Sequence, residues 1–265
     1  MNILFIGDIV GKPGRQVVKY FLEQNLEEYD FVIANLENAS HGKGLTRAHF
    51  LSMLEAGVDV ATLGNHYYAK KEIETFIDDY DNILRPANLH KSIIGHGSDV
   101  YQCGNLKVRV TSLMGRVFLS EQLDNPFDVL DSICKNDDSD IHIVDFHAEA
   151  TGEKQALAWA FDGRVNAIIG THTHVQTNDI RLLKKGTLYL SDVGMCGPYN
   201  GILGANKESV IKKTWTGMPT VFGVEEDDEY IFSACSITID DETKKIIDYK
   251  NIYKVFKESE IYNGK

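Results

Sequence analysis

The sequence contains no apolar run of about 18 residues, the length that a membrane-spanning helix requires. Its amino terminus has no basic region ahead of an apolar stretch, so we expect neither a signal peptide nor a membrane anchor. The four cysteines form no C-x-x-C pair. We expect all four to be free buried thiols in a reducing cytoplasm, a location that fits Cys103, Cys134, Cys196 and Cys235.

Positive charge is also scarce. Lys and Arg total 27 and Asp and Glu total 39, which gives a formal net charge of -12 at pH 7. An acidic surface repels phosphate backbones, so we expect no extensive nucleic-acid binding. A small anionic substrate is still compatible with this charge if a bound metal ion supplies local positive charge.

The chain has no internal repeat and no linker rich in Pro, Gly or Ser, so we expect residues 1–265 to form a single domain. Hydrophobic residues make up 43% of the chain, enough to build a core. Short strand-like and longer helix-like stretches alternate along it. Strands are predicted at 2–7, 31–35, 58–63, 106–113, 141–146, 166–170 and 187–191. Helices are predicted at 14–28, 46–56, 70–80, 126–135, 153–162 and 206–215, with Thr46 as an N-cap.

The last part of the chain predicts a β-hairpin, with strands at 230–239 and 245–253 and a turn at 240–243. The order of elements favours a layered α/β fold, in which two sheets pack together with helices outside. A single Rossmann sheet is the alternative. It is disfavoured because Gly11 and Gly14 do not complete the G-x-G-x-x-G pattern.

Polar side chains follow five of the predicted strands at the point where each strand ends. In α/β sheets the carboxyl ends of the strands form the ligand crevice, so these side chains are expected to share one site. The residues are Asp8, Glu37, Asn38, Asn65, His66, His147, His172 and His174.

Seven of these side chains have the chemistry of metal ligands. All offer oxygen or imidazole nitrogen and none is a thiol, which suits iron or manganese, with zinc also acceptable. Seven ligands exceed the needs of one tetrahedral ion and suffice for two ions that share a bridging carboxylate. Taken singly, each has an ordinary structural explanation, such as a turn acid for Asp8 or a core histidine for His147. Together they favour a metal site.

The same residues resemble the signature of the calcineurin-like metallophosphoesterase superfamily. Its pattern is an Asp, a bridging carboxylate, Gly-Asn-His, a lone His and Gly-His-x-His. Two positions depart from most members, because Ile9 and Val10 follow Asp8 where D-x-H is usual, and Glu37-Asn38 replaces G-D-x-x-D.

Both departures resemble the YmdB-type bacterial phosphodiesterases. The resemblance covers nearly the full chain and is carried by residues 7–15, 34–38, 85–88, 145–151, 170–179 and 192–195. One segment differs from that family. Tyr67-Tyr68-Ala69 follows His66, where the family usually has a Trp-Asp pair, and the lost acid bears on substrate preference or rate.

The resemblance implies a four-layered α/β/β/α sandwich, with two packed mixed sheets flanked by helices. It also implies two divalent metal ions, with iron expected first and manganese or zinc as alternatives. Asp8, Asn38 and His174 would hold the first ion. Asn65, His147 and His172 would hold the second, and Glu37 would bridge them.

The activity implied by the resemblance is phosphodiester hydrolysis by in-line attack of a metal-bound hydroxide. A cyclic nucleotide is the expected substrate, with 2′,3′-cyclic nucleoside monophosphates as the best single choice. His66 is expected to act catalytically, by protonating the leaving group or by stabilising negative charge. His41 lies in a glycine-containing loop after Glu37 and is a candidate substrate-binding residue.

Two other functions are compatible with the same residues. One is a regulatory protein that retains the metal site and has only incidental turnover. The other is a phosphomonoesterase or nuclease on the same fold, although a nuclease needs an extended positive groove. A homo-oligomer is compatible with the sequence, which contains no specific interface signal.

Overall fold

The computed structural model describes residues 1–263. The strands are β1 Asn2–Ile6, β2 Asp8–Ile9, β3 Phe31–Asn35, β4 Val60–Thr62, β5 Ile83–Leu84, β6 Ser98–Cys103, β7 Leu106–Met114, β8 Ile141–His147, β9 Ala167–Thr171, β10 Arg181–Leu182, β11 Leu188–Leu190, β12 Met195–Pro198, β13 Glu229–Ile239 and β14 Ile246–Lys257. The α-helices are α1 Gly11–Asn25, α2 Arg47–Leu54, α3 Pro126–Lys135, α4 Thr151–Ala160, α5 Lys207–Thr216 and α6 Glu258–Asn263.

The strands form two mixed sheets. The first has the order β2-β12-β13-β1-β3-β4-β5, with β14 paired to β13, and the second has the order β10-β11-β9-β8-β7-β6. Strands β1, β3, β4 and β5 run parallel, whereas β13 pairs antiparallel to β1. In the second sheet β7, β8, β9 and β11 run parallel, and β6 and β10 are antiparallel edge strands.

The two sheets pack face to face, and helices cover both outer faces. Fully buried side chains such as Phe5, Ile33, Val110 and Ile169 fill the space between the sheets. Helices α1 and α2 pack on the first sheet, and α3 and α4 pack on the second. This is the predicted four-layered α/β/β/α sandwich, and it excludes the Rossmann alternative.

The predicted elements are largely confirmed, and the exceptions have local causes. Residues 70–80 do not form one α-helix but two short 3-10 helices, Lys71–Thr75 and Ile77–Asp79, because Phe76 has a non-helical backbone at φ -146°. Thr46 occupies the N-cap position of α2 without capping it, since its hydroxyl lies 3.2 Å from the hydroxyl of Ser40. Five strands were not predicted. Four of them, β2, β5, β10 and β12, have two to four residues and are too short to show periodicity. The fifth, β6, has six residues but is a partly exposed edge strand without an apolar run.

The cysteines are free, as predicted, but not all are buried. Cys196 and Cys235 are buried, whereas Cys103 and Cys134 are only half-buried. Cys103 ends the polar edge strand β6, and Cys134 lies in the last turn of α3, so neither is covered on all sides. In the described residues, no helix has the length and apolar character that crossing a membrane would require.

Candidate active site

The candidate site lies where both sheets end, and two buried carboxylates form its floor. Asp8 begins β2 and is fully buried, and Glu37, two residues beyond β3, is 1% exposed. Within residues 1–263, neither carboxylate has a Lys or Arg partner in an ion pair. Their cationic neighbours are imidazoles, with His147 Nε2 3.1 Å from Glu37 Oε1 and His174 Nε2 3.6 Å from Asp8 Oδ1. Two neighbouring buried carboxylates without a permanent cation are costly unless positive charge is bound there.

Donor atoms from both sheets converge on His147. Its Nε2 lies 3.1 Å from Glu37 Oε1, 3.0 Å from Asn65 Oδ1 and 3.0 Å from His172 Nδ1. Single ligand atoms of Glu37, His147 and His172 all lie within 4.8 Å of one another. Because carboxylate, amide oxygen and imidazole nitrogen all carry lone pairs, this crowding suits a shared cation.

Asn38 links the remaining predicted ligands. Its Nδ2 lies 3.4 Å from Asp8 Oδ1, 3.1 Å from Glu37 Oε1 and 3.2 Å from His174 Nε2. Its Oδ1 faces His66 Nδ1 at 2.8 Å. A metal would take the amide oxygen, so binding by Asn38 requires a half-turn of the amide group, which interchanges its oxygen and nitrogen.

The loop that carries His172 and His174 is held in an unusual backbone conformation. Both residues have positive φ, at 98° and 65°, a region that non-glycine residues rarely adopt. A buried ion pair underneath the loop fixes it, with Lys154 Nζ 2.9 Å from Asp192 Oδ2. The same Asp192 oxygen accepts hydrogen bonds from the backbone N–H and the hydroxyl of Thr173. Strain that is held by surrounding structure is typical of functional loops.

Burial and the nearby carboxylates act in opposite directions on the site's histidines. Burial disfavours the charged ring of His147, but Glu37, Asp8 and Asp145 outweigh it and raise the pKa to about 9. His174 behaves in the same way, because Asp8 outweighs burial and raises its pKa to about 9. Burial lowers the pKa of His66. The metal-free site therefore attracts positive charge at His147 and His174.

His66 and His41 lie at the rim of the site. His66 is half-buried, and its backbone N–H donates to Glu37 Oε2 at 3.0 Å. His41 is exposed and lines the same cavity of about 120 Å³ as His66, Asn38 and His174. The structure thus places the predicted catalytic residue and the predicted substrate-binding residue on one cavity that opens from the ligands.

Sequence reasoning missed the residues that support the ligands. Asp145 is fully buried in β8 and accepts hydrogen bonds from Asn35, Thr62 and Thr171. Burial raises its pKa to about 6. Its signal was available, because it is the one carboxylate in the predicted strand 141–146. Glu149, whose Oε2 lies 3.0 Å from His172 Nε2, had no comparable signal.

Comparison with known proteins assigns the chain to a family. Residues 4–252 match the YmdB-like protein family. The chain belongs to this family. It is 46% identical over 256 residues to a 2′,3′-cyclic-nucleotide 2′-phosphodiesterase of Bacillus subtilis, a match that covers 95% of this chain and 96% of the relative. The crystal structure of a novel phosphatase from Mycoplasma pneumoniae is 39% identical, covers 99% of this chain and 96% of its own, and has a TM-score of 0.92.

A more distant neighbour shows how widely the fold is shared. A putative 5′-nucleotidase from Staphylococcus aureus covers 97% of this chain and 54% of its own, with 16% identity and a TM-score of 0.59. At this identity the similarity concerns the fold alone. The names of the YmdB-like relatives confirm the prediction of an enzyme that hydrolyses phosphoesters.

Proposed function

We propose that this YmdB-like protein is a metal-dependent phosphodiesterase that opens 2′,3′-cyclic nucleoside monophosphates. The name of the Bacillus subtilis relative supports the substrate class. The observation that carries the metal dependence is the buried donor set around Glu37 and His147, which has no Lys or Arg partner in the described chain. This donor set fits divalent ions in number and in chemistry.

The proposed ligands divide into two groups around one carboxylate. Asp8, Asn38 and His174 would hold one ion, and Asn65, His147 and His172 would hold the other, with Glu37 between them. Bound divalent ions supply charge that lowers the pKa of a coordinated water and neutralises phosphoryl oxygens. Iron is our first choice, with manganese and zinc as alternatives, since oxygen and nitrogen ligands serve all three.

His66 is the proposed proton donor. With its amide turned to offer oxygen to an ion, Asn38 would donate from Nδ2 to His66 Nδ1, which it now contacts through Oδ1 at 2.8 Å. This hydrogen bond would orient the ring and leave its proton on Nε2. Its Nε2 would then give a proton to the ribose 2′ oxygen as the bond from that oxygen to phosphorus breaks. Water adds to phosphorus, and the product is a nucleoside 3′-monophosphate with a free 2′ hydroxyl.

We also propose a single domain over residues 1–265 and a cytoplasmic location. Antiparallel pairing of β1 with β13 supports the first proposal, because it joins the two ends of the described chain in one sheet. The four free cysteines support the second, since reducing compartments keep thiols unpaired.

The test is hydrolysis of 2′,3′-cyclic AMP by the purified protein, as isolated, after chelation and after return of Fe²⁺ or Mn²⁺. We expect turnover that is lost on chelation and restored by metal. Glu37→Gln should reduce turnover by at least about 100-fold. The matched control is Glu242→Gln, which changes an exposed carboxylate in the turn between β13 and β14 and should leave turnover unchanged.

Two results would overturn the proposal. Hydrolysis of phosphomonoesters but not of cyclic diesters would favour a phosphatase. Absence of turnover with every metal, in a protein that is folded and metal-loaded, would favour the regulatory alternative.

A further inference from the structure

The cavity that opens from the candidate ligands has two chemically different walls. One wall carries Asn38, His66 and His174 together with His41 and Lys43. The rest of the lining is mainly apolar and includes Leu203, Phe222 and Val224. The volume, about 120 Å³, is that of a small planar group and not of a whole nucleotide.

The apolar wall comes from the segment between β12 and β13, which is tied firmly to the site. Leu203 has φ 53°, and its carbonyl oxygen accepts from His174 Nδ1 at 2.9 Å. The backbone N–H of Asn206 donates to Gly223 at 2.8 Å, and Ala205 forms a β-bridge with Val224. These bonds, made by Leu203 itself and by the residues on either side of Phe222, place both side chains on the cavity.

Two apolar side chains on this cavity are exposed to solvent, and the fold does not require their exposure. Leu203 is 50% exposed and Phe222 is 40% exposed, although both belong to a hydrogen-bonded segment. Lys213 Nζ lies 4.9 Å from the centre of the Phe222 ring, so part of the ring is already covered and its orientation is restrained. Apolar and aromatic groups that line a polar catalytic cavity are typical of a ligand pocket.

We propose that Phe222, with Leu203 beside it, forms the nucleobase pocket of the enzyme and sets its preference for nucleotides over base-free phosphodiesters. The inference rests on the proposed function. It adds a binding site for the base, the part of the substrate that the candidate ligands do not contact. The cyclic phosphate would lie towards His66 and the candidate ligands. The base would stack on Phe222, because every nucleobase presents an aromatic face.

A second cavity beside the site is the competing location. It measures about 340 Å³ and is lined by Tyr199, Met195, Ile231 and Tyr253. Of the predicted site residues it contains His174 alone, whereas the smaller cavity contains His66 as well. A base bound in the smaller cavity would therefore leave its attached phosphate beside both His66 and the candidate ligands.

The experiment compares two substrates that differ in the base alone, 2′,3′-cyclic AMP and ribose 2′,3′-cyclic phosphate. Phe222→Ala should reduce kcat/KM for the nucleotide by about 10-fold, mainly through KM, because a stacking contact is lost. The same variant should hydrolyse the base-free phosphate as the parent enzyme does. Phe222→Tyr, which keeps an aromatic face, should retain the parent kcat/KM for the nucleotide.

The matched control is Val221→Ala, which removes a neighbouring side chain that is 89% exposed and lies outside the cavity lining. This variant should leave kcat/KM unchanged for both substrates. An equal loss on both substrates in Phe222→Ala would assign Phe222 a structural role and overturn the proposal. A loss for the nucleotide in Tyr253→Ala but not in Phe222→Ala would place the base in the competing cavity.

A binding measurement distinguishes failure of this proposal from failure of the proposed function. Adenosine 3′-monophosphate, the product, is titrated into the holoenzyme and its dissociation constant is measured by calorimetry. If the protein hydrolyses neither substrate, the proposed function fails, but weaker binding to Phe222→Ala than to Val221→Ala would still support the pocket. Equal binding to the two variants would overturn it.

Discussion

His147 can offer its Nε2 lone pair to a metal because a threonine hydroxyl occupies its other ring nitrogen. The hydroxyl of Thr171 lies 2.6 Å from Asp145 Oδ1 and 2.9 Å from His147 Nδ1. A hydroxyl has one proton, and the buried carboxylate can only accept it, so the hydroxyl oxygen accepts from His147 Nδ1. Nε2 is then unprotonated in the neutral ring. Such support of a ligand histidine by a carboxylate, here through a hydroxyl, is common around metals.

We predict that Thr171→Val weakens metal binding by about 10- to 100-fold and lowers the free energy of unfolding by about 1–3 kcal/mol. Valine has the shape of threonine but leaves both Asp145 and His147 Nδ1 without a hydrogen-bond partner at this position. Metal affinity is measured by competition with a chelator, and stability by denaturant unfolding. Thr171→Ser keeps the hydroxyl and is the control. Retention of full metal affinity by the valine variant would contradict the assigned role.

At the scale of elements, most of the candidate ligands lie just after a strand, whereas Asp8 begins β2 and His147 ends β8. In the turn after β4 the backbone lies directly against two of these side chains. A Cβ on Gly64 would lie 2.3 Å from His147 Cδ2 and 2.4 Å from Glu37 Oε2. Glycine is required here because two candidate ligand side chains approach the backbone directly.

Gly64→Ala is therefore expected to abolish metal binding, because the added methyl group must displace either the His147 ring or the Glu37 carboxylate. The measurement is the bound metal per chain after dialysis. Gly152→Ala is the matched control, since a Cβ there meets nothing within 4 Å and the residue lies in α4. That control should keep its metal and gain about 0.4–1 kcal/mol of stability. Normal metal content in Gly64→Ala would disprove the steric argument.

At the scale of the whole molecule, the candidate site joins the two sheets. Asp8, Glu37, Asn38 and Asn65 follow strands of the first sheet, and His147, His172 and His174 belong to strands or loops of the second. A bound ion would tie the layers together and favour the folded state by mass action. In the metal-free protein, protonated His147 and His174 supply part of the positive charge that neutralises Asp8 and Glu37.

The chelated protein should therefore become less stable as pH rises above neutrality. The pKa of each histidine is raised to about 9 in the folded state, above the value in the unfolded chain, which is about 6.5. A raised pKa gives stability that is complete below the unfolded value and is lost as pH rises through the folded value. We expect the Tm of the chelated protein to fall by about 5 °C or more between about pH 7 and about pH 10, beyond any fall in the metal-loaded protein.

Calorimetric scans of both forms test this expectation. Glu37→Gln is the informative control, since loss of one carboxylate weakens the attraction that raises the pKa of His147 and should reduce the pH dependence of the chelated form. The expectation would be contradicted if Tm fell with pH to the same extent in the chelated and the metal-loaded parent protein.

The sequence by itself determined the layered α/β class and predicted which residues gather at the candidate site, because both depend on local patterns. Buried strands need apolar runs, and carboxylates or imidazoles placed just after such runs must lie at the sheet edge. It could not determine the helical state of residues 70–80, where the buried Phe76 has a non-helical backbone and separates two 3-10 helices. Only the tertiary structure brought Asp145 and Thr171 under His147, and Leu203 and Phe222 onto the cavity with His66. Those contacts join residues far apart in the chain, and no local spacing encodes them.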